Sequence, residues 1–91
     1  MERHPDGSQL FVPMSADPFL VTVAADKNGT PGTPLAFLTT PGQAVNFHRG
    51  TWHGVLTPLT HPGLFVVVDR IGPGANLEEH IFDQPFKIHA A

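Results

Sequence analysis

Proline and glycine occur so often in this chain that they leave little room for long helices. Its 91 residues contain ten prolines and nine glycines, which form turns and end regular structure. The segments between them are short. The two clearest, 18–24 and 64–70, are rich in β-branched residues and phenylalanine, which is typical of strands. We therefore predict an all-β fold that forms a single domain over residues 1–91.

Seven or eight short strands are predicted, and their spacing is typical of a sandwich or a barrel. Between the second and third strands, Asn28-Gly29 lies in a turn-rich loop, which predicts a hairpin connection or an exposed loop. Residues 76–79 can form a helical turn with Asn76 as its N-cap, or a loop with ligand-facing polar groups. The strands span residues 9–13, 18–24, 35–39, 44–48, 52–59 and 64–70; the first can begin as early as Glu2, and 81–83 and 86–89 are two further short strand candidates.

Charge and hydropathy exclude several classes of partner. The net charge is −3 and the five basic residues are scattered, so we predict no binding to nucleic acid and no polybasic membrane contact. The longest apolar run, residues 64–68, is far shorter than the roughly 20 residues of a membrane span. The N-terminus lacks the apolar segment of a secretory signal, and no cysteine is present for disulfides or thiolate ligands. A cytoplasmic location is predicted.

The segment 42–53 carries the first candidate for chemistry, His53. A tight turn at Arg49-Gly50 precedes it, so the imidazole is presented on a strand just after a backbone reversal. A neutral imidazole can bind a metal ion or act as a general base near pH 7. A hydrogen-bonded structural histidine at a turn is the alternative.

Four side chains near turns or strand ends are candidates for binding a substrate: His48, Arg49, Trp52 and Asp69. Either of the first two can bind an anion, and arginine matches the geometry of a carboxylate; an exposed turn is the alternative. Trp52 either packs in the core or at its rim, or stacks on a ligand. Asp69 ends the strongest strand, where it either faces the interior with a partner or forms a charge pair in solvent.

A second polar cluster, Glu2, His4 and Gln9, lies near the N-terminus. Side chains two residues apart on a strand share a face, so Glu2 and His4 point one way and Arg3 points the other. A tight turn at residues 5–7 can then bring Gln9 back to the same place. The three side chains can therefore converge on one interior site. Frayed, solvent-exposed N-terminal residues are the alternative.

The spacing within segment 42–53 resembles the second motif of cupin barrels, which has the form G-x5-P-x-G-x2-H. Gly42, Gly50 and His53 occupy its glycine and histidine positions, and His48 replaces the proline. The resemblance implies a cupin-like β-barrel, also described as a double-stranded β-helix or jelly roll, in a minimal version.

The first cupin motif, H-x-H-x(3,4)-E, is similar to Glu2-x-His4-x4-Gln9. Glu2 stands at the first histidine position and Gln9 at the glutamate position, so two of the four usual metal ligands are replaced. The resemblance implies a divalent transition metal at Glu2, His4, Gln9 and His53, and it leaves open whether the ion is bound. Mixed nitrogen and oxygen ligands suit Mn, Fe, Ni or Zn.

Within the cupins, the chain resembles the ureidoglycolate lyase family, formerly called ureidoglycolate hydrolase. The resemblance covers nearly the whole chain and implies cleavage of (S)-ureidoglycolate to glyoxylate and urea, a late step of purine and allantoin breakdown. It also implies a homodimer. Family members are nearly twice this length, and Met1 falls where the first cupin motif begins. The resemblance rests on residues 2–5, 8–13, 41–53, 67–70 and 76–79.

The resemblance also implies roles for the matched residues. His53 is the general base, His4 is its partner or the acid, and Gln9 orients the substrate by hydrogen bonds. Either Arg3 or Arg49 binds the substrate carboxylate, although strand parity disfavours Arg3 if Glu2 faces inward.

Two other functions remain open from the sequence. One is a small cupin that binds a carboxylate metabolite or a metal without turning it over. The other is a metal-dependent cupin oxygenase or isomerase, which would need a stoichiometric ion after purification.

Overall fold

Short β-strands account for the regular structure in the computed structural model, which describes residues 1–89. No helix forms in this range, which confirms the all-β prediction. Accordingly, the described range holds no helix with the length and hydropathy to cross a membrane. The strands are β1 (Glu2–Arg3), β2 (Gln9–Pro13), β3 (Phe19–Ala24), β4 (Asp26–Lys27), β5 (Thr30–Pro31), β6 (Leu35–Leu38), β7 (Val45–Phe47), β8 (Trp52–His53), β9 (Thr57–Pro58), β10 (Phe65–Asp69) and β11 (Glu78–Glu79).

Most strands belong to two antiparallel sheets with a shared core. The larger sheet has six strands in the order β11-β1-β8-β3-β6, with β9 also paired to β3, and the smaller has the order β10-β2-β7. Successive side chains of a strand point to opposite faces, so alternate residues of both sheets meet in the core. The buried members are Phe11, Phe19, Val21 and Phe47, against which Val23, Val45, Leu56 and Phe65 pack.

The architecture is consistent with a cupin-like β fold, although the two sheets do not close into a barrel within residues 1–89. Strands β6 and β10 each stand at the edge of a sheet. Their apolar side chains are largely exposed, with Leu38 at 64% and Val68 at 52%. Edges of this kind can pair with a further strand.

The Asn28-Gly29 hairpin is confirmed. Asn28 and Gly29 both have positive φ angles, 54° and 92°, which is the conformation of a two-residue type I′ turn. Strands β4 and β5 flank it and pair in an antiparallel register.

The predicted fifth strand is interrupted by a bulge. His53 lies opposite Val23, and Thr57 lies opposite Leu20, so the three residues 54–56 face only two residues of β3. The extra residue bends the strand, which separates β8 from β9. The bulge ends the β8 ladder directly after His53.

For the C-terminal part, one alternative for residues 76–79 and both strand candidates are wrong. Glu78 and Glu79 form β11 rather than a helical turn, because their backbone groups pair with β1. Residues 81–89 contain no strand. Instead, Phe82 and Phe86 contact each other edge to face, with ring centroids 4.9 Å apart. Apolar composition alone does not provide a neighbouring strand to pair with.

Candidate functional site

Glu2 and His53 lie side by side on the inner face of the larger sheet. Glu2 is directly opposite His53 in the antiparallel pair of β1 and β8, and residues in such a pair project from the same face. Their chain neighbours Arg3 and Trp52 therefore project from the outer face. This arrangement matches the parity predicted for β1.

His53 is fully buried, and one of its ring nitrogens has no hydrogen-bond partner. Its Nδ1–H donates to the carbonyl of Gly54 at 2.8 Å, so the neutral ring carries its lone pair on Nε2. Within residues 1–89, Nε2 is the one buried side-chain nitrogen or oxygen that lacks a partner. Phe47 stacks on the ring, with centroids 4.3 Å apart and an interplanar angle of 8°. The fold thus holds a bare nitrogen lone pair in a fixed orientation.

Burial lowers the pKa of His53 below its ordinary value of 6.5, because the imidazolium would lose its hydration. The hydrogen bond to the Gly54 carbonyl and the charges of Glu2 and Asp69 act in the opposite direction, and their effects are smaller. His53 is therefore neutral at pH 7, which is the form that a general base or a metal ligand requires.

His4 faces His53, with ring centroids 5.2 Å apart. Its Nδ1–H donates to the backbone carbonyl of Asn76 at 2.8 Å, and its Nε2 lies 3.2 Å from Oε1 of Gln9. Both of these oxygens accept hydrogen bonds. Either the His4 ring carries a proton on both nitrogens, or the Gln9 amide turns to donate its N–H. In the first state, His4 holds a proton on Nε2 within the site.

Glu2, His4 and His53 form a compact group of potential ligands. One ligand atom from each residue lies within 4.8 Å of the others. His53 is buried and the other two are half-buried, so electrostatic interactions within the group are stronger than at the surface. The structure therefore brings together three of the four residues predicted as metal ligands, and the fourth, Gln9, contacts His4.

Asp69 approaches this group from the smaller sheet. It lies opposite Gln9, which in turn lies opposite Phe47, so the three side chains share one face. Gln9 is buried at 8% exposure, whereas Asp69 is exposed. Asp69 thus lies at the solvent-exposed end of this row of three side chains, and Phe47 lies at the buried end, where it stacks on His53.

The turn after β7 carries His48 and Arg49, and both side chains are exposed. The backbone N–H of Gly50 in the same turn donates to the carbonyl of His4 at 2.9 Å. Gly50 has a φ of 80°, a left-handed conformation that glycine adopts without strain. The turn is therefore held against β1, next to the histidines.

Arg3 and Trp52 do not join the histidines, because they lie on the other side of the sheet. The Arg3 guanidinium lies 4.6 Å above the Trp52 ring centroid, and it forms ion pairs with Asp26 at 2.9 Å and Glu78 at 2.8 Å. Its charge is therefore already neutralised by partners of this chain.

Comparison with known proteins identifies the family. A family model described as ureidoglycolate lyase matches residues 1–89. This chain belongs to the ureidoglycolate lyase family. Its predicted membership is thus confirmed over the whole described range.

Three similar relatives are named ureidoglycolate lyase. Ureidoglycolate lyase 2 of Rhizobium meliloti is 55% identical over 91 residues, which is 100% of this chain and 56% of the relative. The protein of Chelativorans sp. is 56% identical over 89 residues, 98% of this chain and 54% of the relative. That of Mesorhizobium japonicum is 55% identical over 89 residues, 98% of this chain and 55% of the relative. The chain therefore spans about half the length of these relatives.

Two contacts in and behind the candidate site involve residues whose role the sequence did not reveal. Asp26 lies in the predicted hairpin loop, yet it accepts a hydrogen bond from Trp52. The sequence predicts Asn76 as a helix cap or as part of a ligand-facing loop, whereas in the structure its backbone carbonyl orients His4. The partners lie 26 and 72 residues apart in the chain, so no local pattern marks either contact.

We expect the stability of the metal-free chain to fall as the pH drops below 6.5, in a step that His53→Gln lacks. Because burial lowers the pKa of His53 in the fold, the unfolded chain takes up the proton first. The contribution of His53 to the free energy of unfolding is therefore fully present above the pKa of His53 in the unfolded chain. It is lost as the pH falls towards the pKa of His53 in the folded chain. Urea unfolding with a chelator between about pH 8 and pH 5 measures this step. Identical pH slopes for the two proteins would contradict the assignment.

Proposed function

We propose that this chain carries the acid–base centre for the cleavage of ureidoglycolate to glyoxylate and urea, in purine and allantoin breakdown. The observation that carries the proposal is the buried, neutral His53, whose unpartnered Nε2 lies beside Glu2 and His4. The relatives named ureidoglycolate lyase, about 55% identical to this chain, support the substrate.

Cleavage of ureidoglycolate needs two proton transfers. A base removes the hydroxyl proton, the C–O bond becomes the aldehyde C=O of glyoxylate, and the C–N bond breaks. The electron pair of that bond leaves on the urea nitrogen, which takes a proton from an acid. General acid and base groups in fixed positions accelerate such steps.

His53 is the base in this proposal, because its Nε2 lone pair is free and its pKa is lowered. His4 is the acid in the state in which its Nε2 holds a proton. Gln9 lies within hydrogen-bond distance of His4 and orients the substrate or the acid. Since Nε2 of His53 is closed off from solvent, substrate binding requires neighbouring side chains to move.

Arg49 is the proposed partner of the substrate carboxylate. It is exposed in the turn that Gly50 ties to the backbone of His4. Arg3 is disfavoured for this role, because it is paired with Asp26 and Glu78 on the outer face. His48 lies in the same turn as Arg49, and we propose it as a second anion-binding side chain.

A divalent transition metal also fits the site, as an alternative to the proton transfers assigned to His53 and His4, because a nitrogen that binds the ion has no lone pair left for a proton. Glu2, His4 and His53 would hold it, since they offer one oxygen and two nitrogen ligands within 4.8 Å of one another, and the bare His53 Nε2 lacks any other partner. When bound, such an ion would act as a Lewis acid that stabilises developing negative charge on the substrate oxygen.

We expect Ni²⁺ or Zn²⁺ to stabilise the chain against thermal unfolding, and Glu2→Ala to weaken this effect. An ion at about 100 times its dissociation constant adds about 2.7 kcal/mol to the free energy of unfolding. Asp83→Ala removes an exposed carboxylate outside the group and serves as the control. Equal metal-induced shifts in the melting temperature of the wild type and Glu2→Ala would exclude this ligand set.

Glyoxylate release by the purified chain, measured against a blank without enzyme and with a chelator control, tests the proposed activity. Turnover above the blank is expected, and loss with the chelator would assign a metal-dependent step. A folded sample without turnover would favour the alternative, a cupin that binds a carboxylate metabolite without converting it.

A cytoplasmic homodimer is the proposed state of the protein. The apolar side chains along the β6 and β10 edges support self-association, because open strand edges pair readily. We expect light scattering to give twice the mass of one chain, and Leu38→Lys on β6 to lower it, since a charge on an edge strand blocks pairing. A stable wild-type monomer would contradict the homodimer.

A further inference from the structure

A single carboxylate oxygen connects two strands on the outer face of the larger sheet. Oδ1 of Asp26 accepts a hydrogen bond from Nε1–H of Trp52 at 2.9 Å and another from Nη1–H of Arg3 at 2.9 Å. Trp52 lies on β8 and Arg3 on β1. Asp26 itself lies on β4, in the small hairpin outside this sheet, so it ties the two strands together from outside.

The remaining contacts of Arg3 extend the connection to β11. Its Nε–H and Nη2–H donate to Oε2 of Glu78 at 3.1 and 2.8 Å, and its guanidinium stacks over Trp52. Arg3 therefore sits in one arrangement, fixed by an aromatic ring and two carboxylates.

The same two strands carry the site on their inner face. Arg3 stands between Glu2 and His4 in the chain, and Trp52 directly precedes His53. Since neighbouring side chains share one backbone and point to opposite faces, any shift of β1 against β8 on the outer face changes the spacing between the ligand atoms on the inner face.

The backbone pairing of these strands is too short to set that spacing alone. β1 and β8 have two residues each, and Glu2 opposite His53 is the one registered pair between them. The bulge after His53 ends the ladder on that side. A side-chain tie therefore acts together with this pair and with the Gly50–His4 backbone hydrogen bond to fix how β1 lies against β8.

Asp26 is suited to this tie for a second reason. The Trp52 indole is buried at 2% exposure, and a buried N–H without an acceptor destabilises the fold. The hydrogen bond from Trp52 is also the largest of the effects that lower the pKa of Asp26, so the carboxylate is charged and accepts both donors at neutral pH.

We infer that Asp26 is a positioning residue for the Glu2–His4–His53 group: by holding Arg3 and Trp52 on one oxygen, it sets the spacing of the inner-face ligand atoms. The inference rests on the proposed function only in assuming that the group takes part in catalysis or metal binding. The spacing that Asp26 sets is a property of the metal-free chain, so it can be tested without measuring activity.

The first measurement is the nuclear Overhauser effect between the ring protons of His4 and His53 in the metal-free chain. The centroids of these two rings lie 5.2 Å apart. We expect Asp26→Ala to abolish or strongly weaken this signal. Asp26→Asn keeps an oxygen that can accept from Trp52 and Arg3, so it should retain the signal. Asp17→Ala removes an exposed aspartate whose hydrogen bonds stay within its own turn, and it serves as the matched control.

The second measurement is Zn²⁺ affinity by calorimetry. Residues that orient metal ligands from outside typically change affinity about 10- to 100-fold when replaced, so Asp26→Ala should bind Zn²⁺ at least about tenfold more weakly. Asp26→Asn should recover most of the loss. A merely structural role would lower stability in both variants without this rescue.

Arg3→Met covers the case in which Asp26→Ala does not fold. It removes the tie from β1 and keeps an apolar stem against Trp52, while Asp26 still accepts the indole N–H. We expect the same loss of the His4–His53 signal.

An unchanged signal in folded Asp26→Ala or in Arg3→Met would overturn the inference. If the wild-type chain shows the signal but neither binds Zn²⁺ nor cleaves ureidoglycolate, the proposed function is refuted. The positioning role of Asp26 is then still tested by the loss of the signal in the variants.

Discussion

Replacing His53 with alanine is expected to lower ureidoglycolate cleavage by about 10²- to 10⁴-fold, the usual contribution of a positioned general base. His53 combines full burial, a neutral ring and a lone pair without a partner. No other histidine of the described range has all three properties. The measurement is the initial rate of glyoxylate release from ureidoglycolate, with the fold of each variant checked by circular dichroism.

His89→Ala provides the matched control, because His89 is exposed and distant in the chain from both motifs. Its rate should equal that of the wild type. His53→Gln separates packing from proton transfer, since it fills much of the same space with a side chain that cannot act as a base. Full turnover by either His53 variant would remove His53 from the mechanism. Loss of turnover together with loss of the fold would instead assign His53 a structural role.

Replacing Phe19 with alanine is expected to reduce the free energy of unfolding by about 3–5 kcal/mol. Phe19 is 2% exposed and packs edge to face on Phe65 at 4.9 Å between ring centroids, which joins β3 of one sheet to β10 of the other. Small domains have only about 5–15 kcal/mol of stability in total. The variant should therefore be largely unfolded at modest urea concentrations, and urea titration followed by tryptophan fluorescence measures the shift.

Phe86→Ala is the control for this prediction. It deletes the same atoms from a ring that is 54% exposed, so it leaves no buried cavity and should cost less than about 1 kcal/mol. Equal losses for Phe19 and Phe86 would mean that the two sheets do not share the core described above.

Local sequence patterns correctly predicted the strands whose own residues, or whose flanking turn, show a strand or hairpin pattern. Alternation and β-branched residues identified β3 and β10, and Asn28-Gly29 identified the hairpin of β4 and β5. The predicted strand at 81–83 failed for a physical reason: a strand exists only where another backbone offers hydrogen bonds, and local composition does not contain that information. The bulge after His53 was missed for the same reason, because it depends on the register of two strands against β3.

The sequence by itself determined the secondary-structure class, the family and the residue types available for chemistry. The two-residue spacing of Glu2 and His4 predicted that they share a face, because the period of a strand is a local property. Only the tertiary structure decided which nitrogen of His53 is free, that Arg3 is already paired, and that Asp26 ties β1 to β8. The pairing of Arg3 and the tie through Asp26 depend on contacts between residues 23 to 75 positions apart. The free nitrogen of His53 depends on burial, which arises only when both sheets meet.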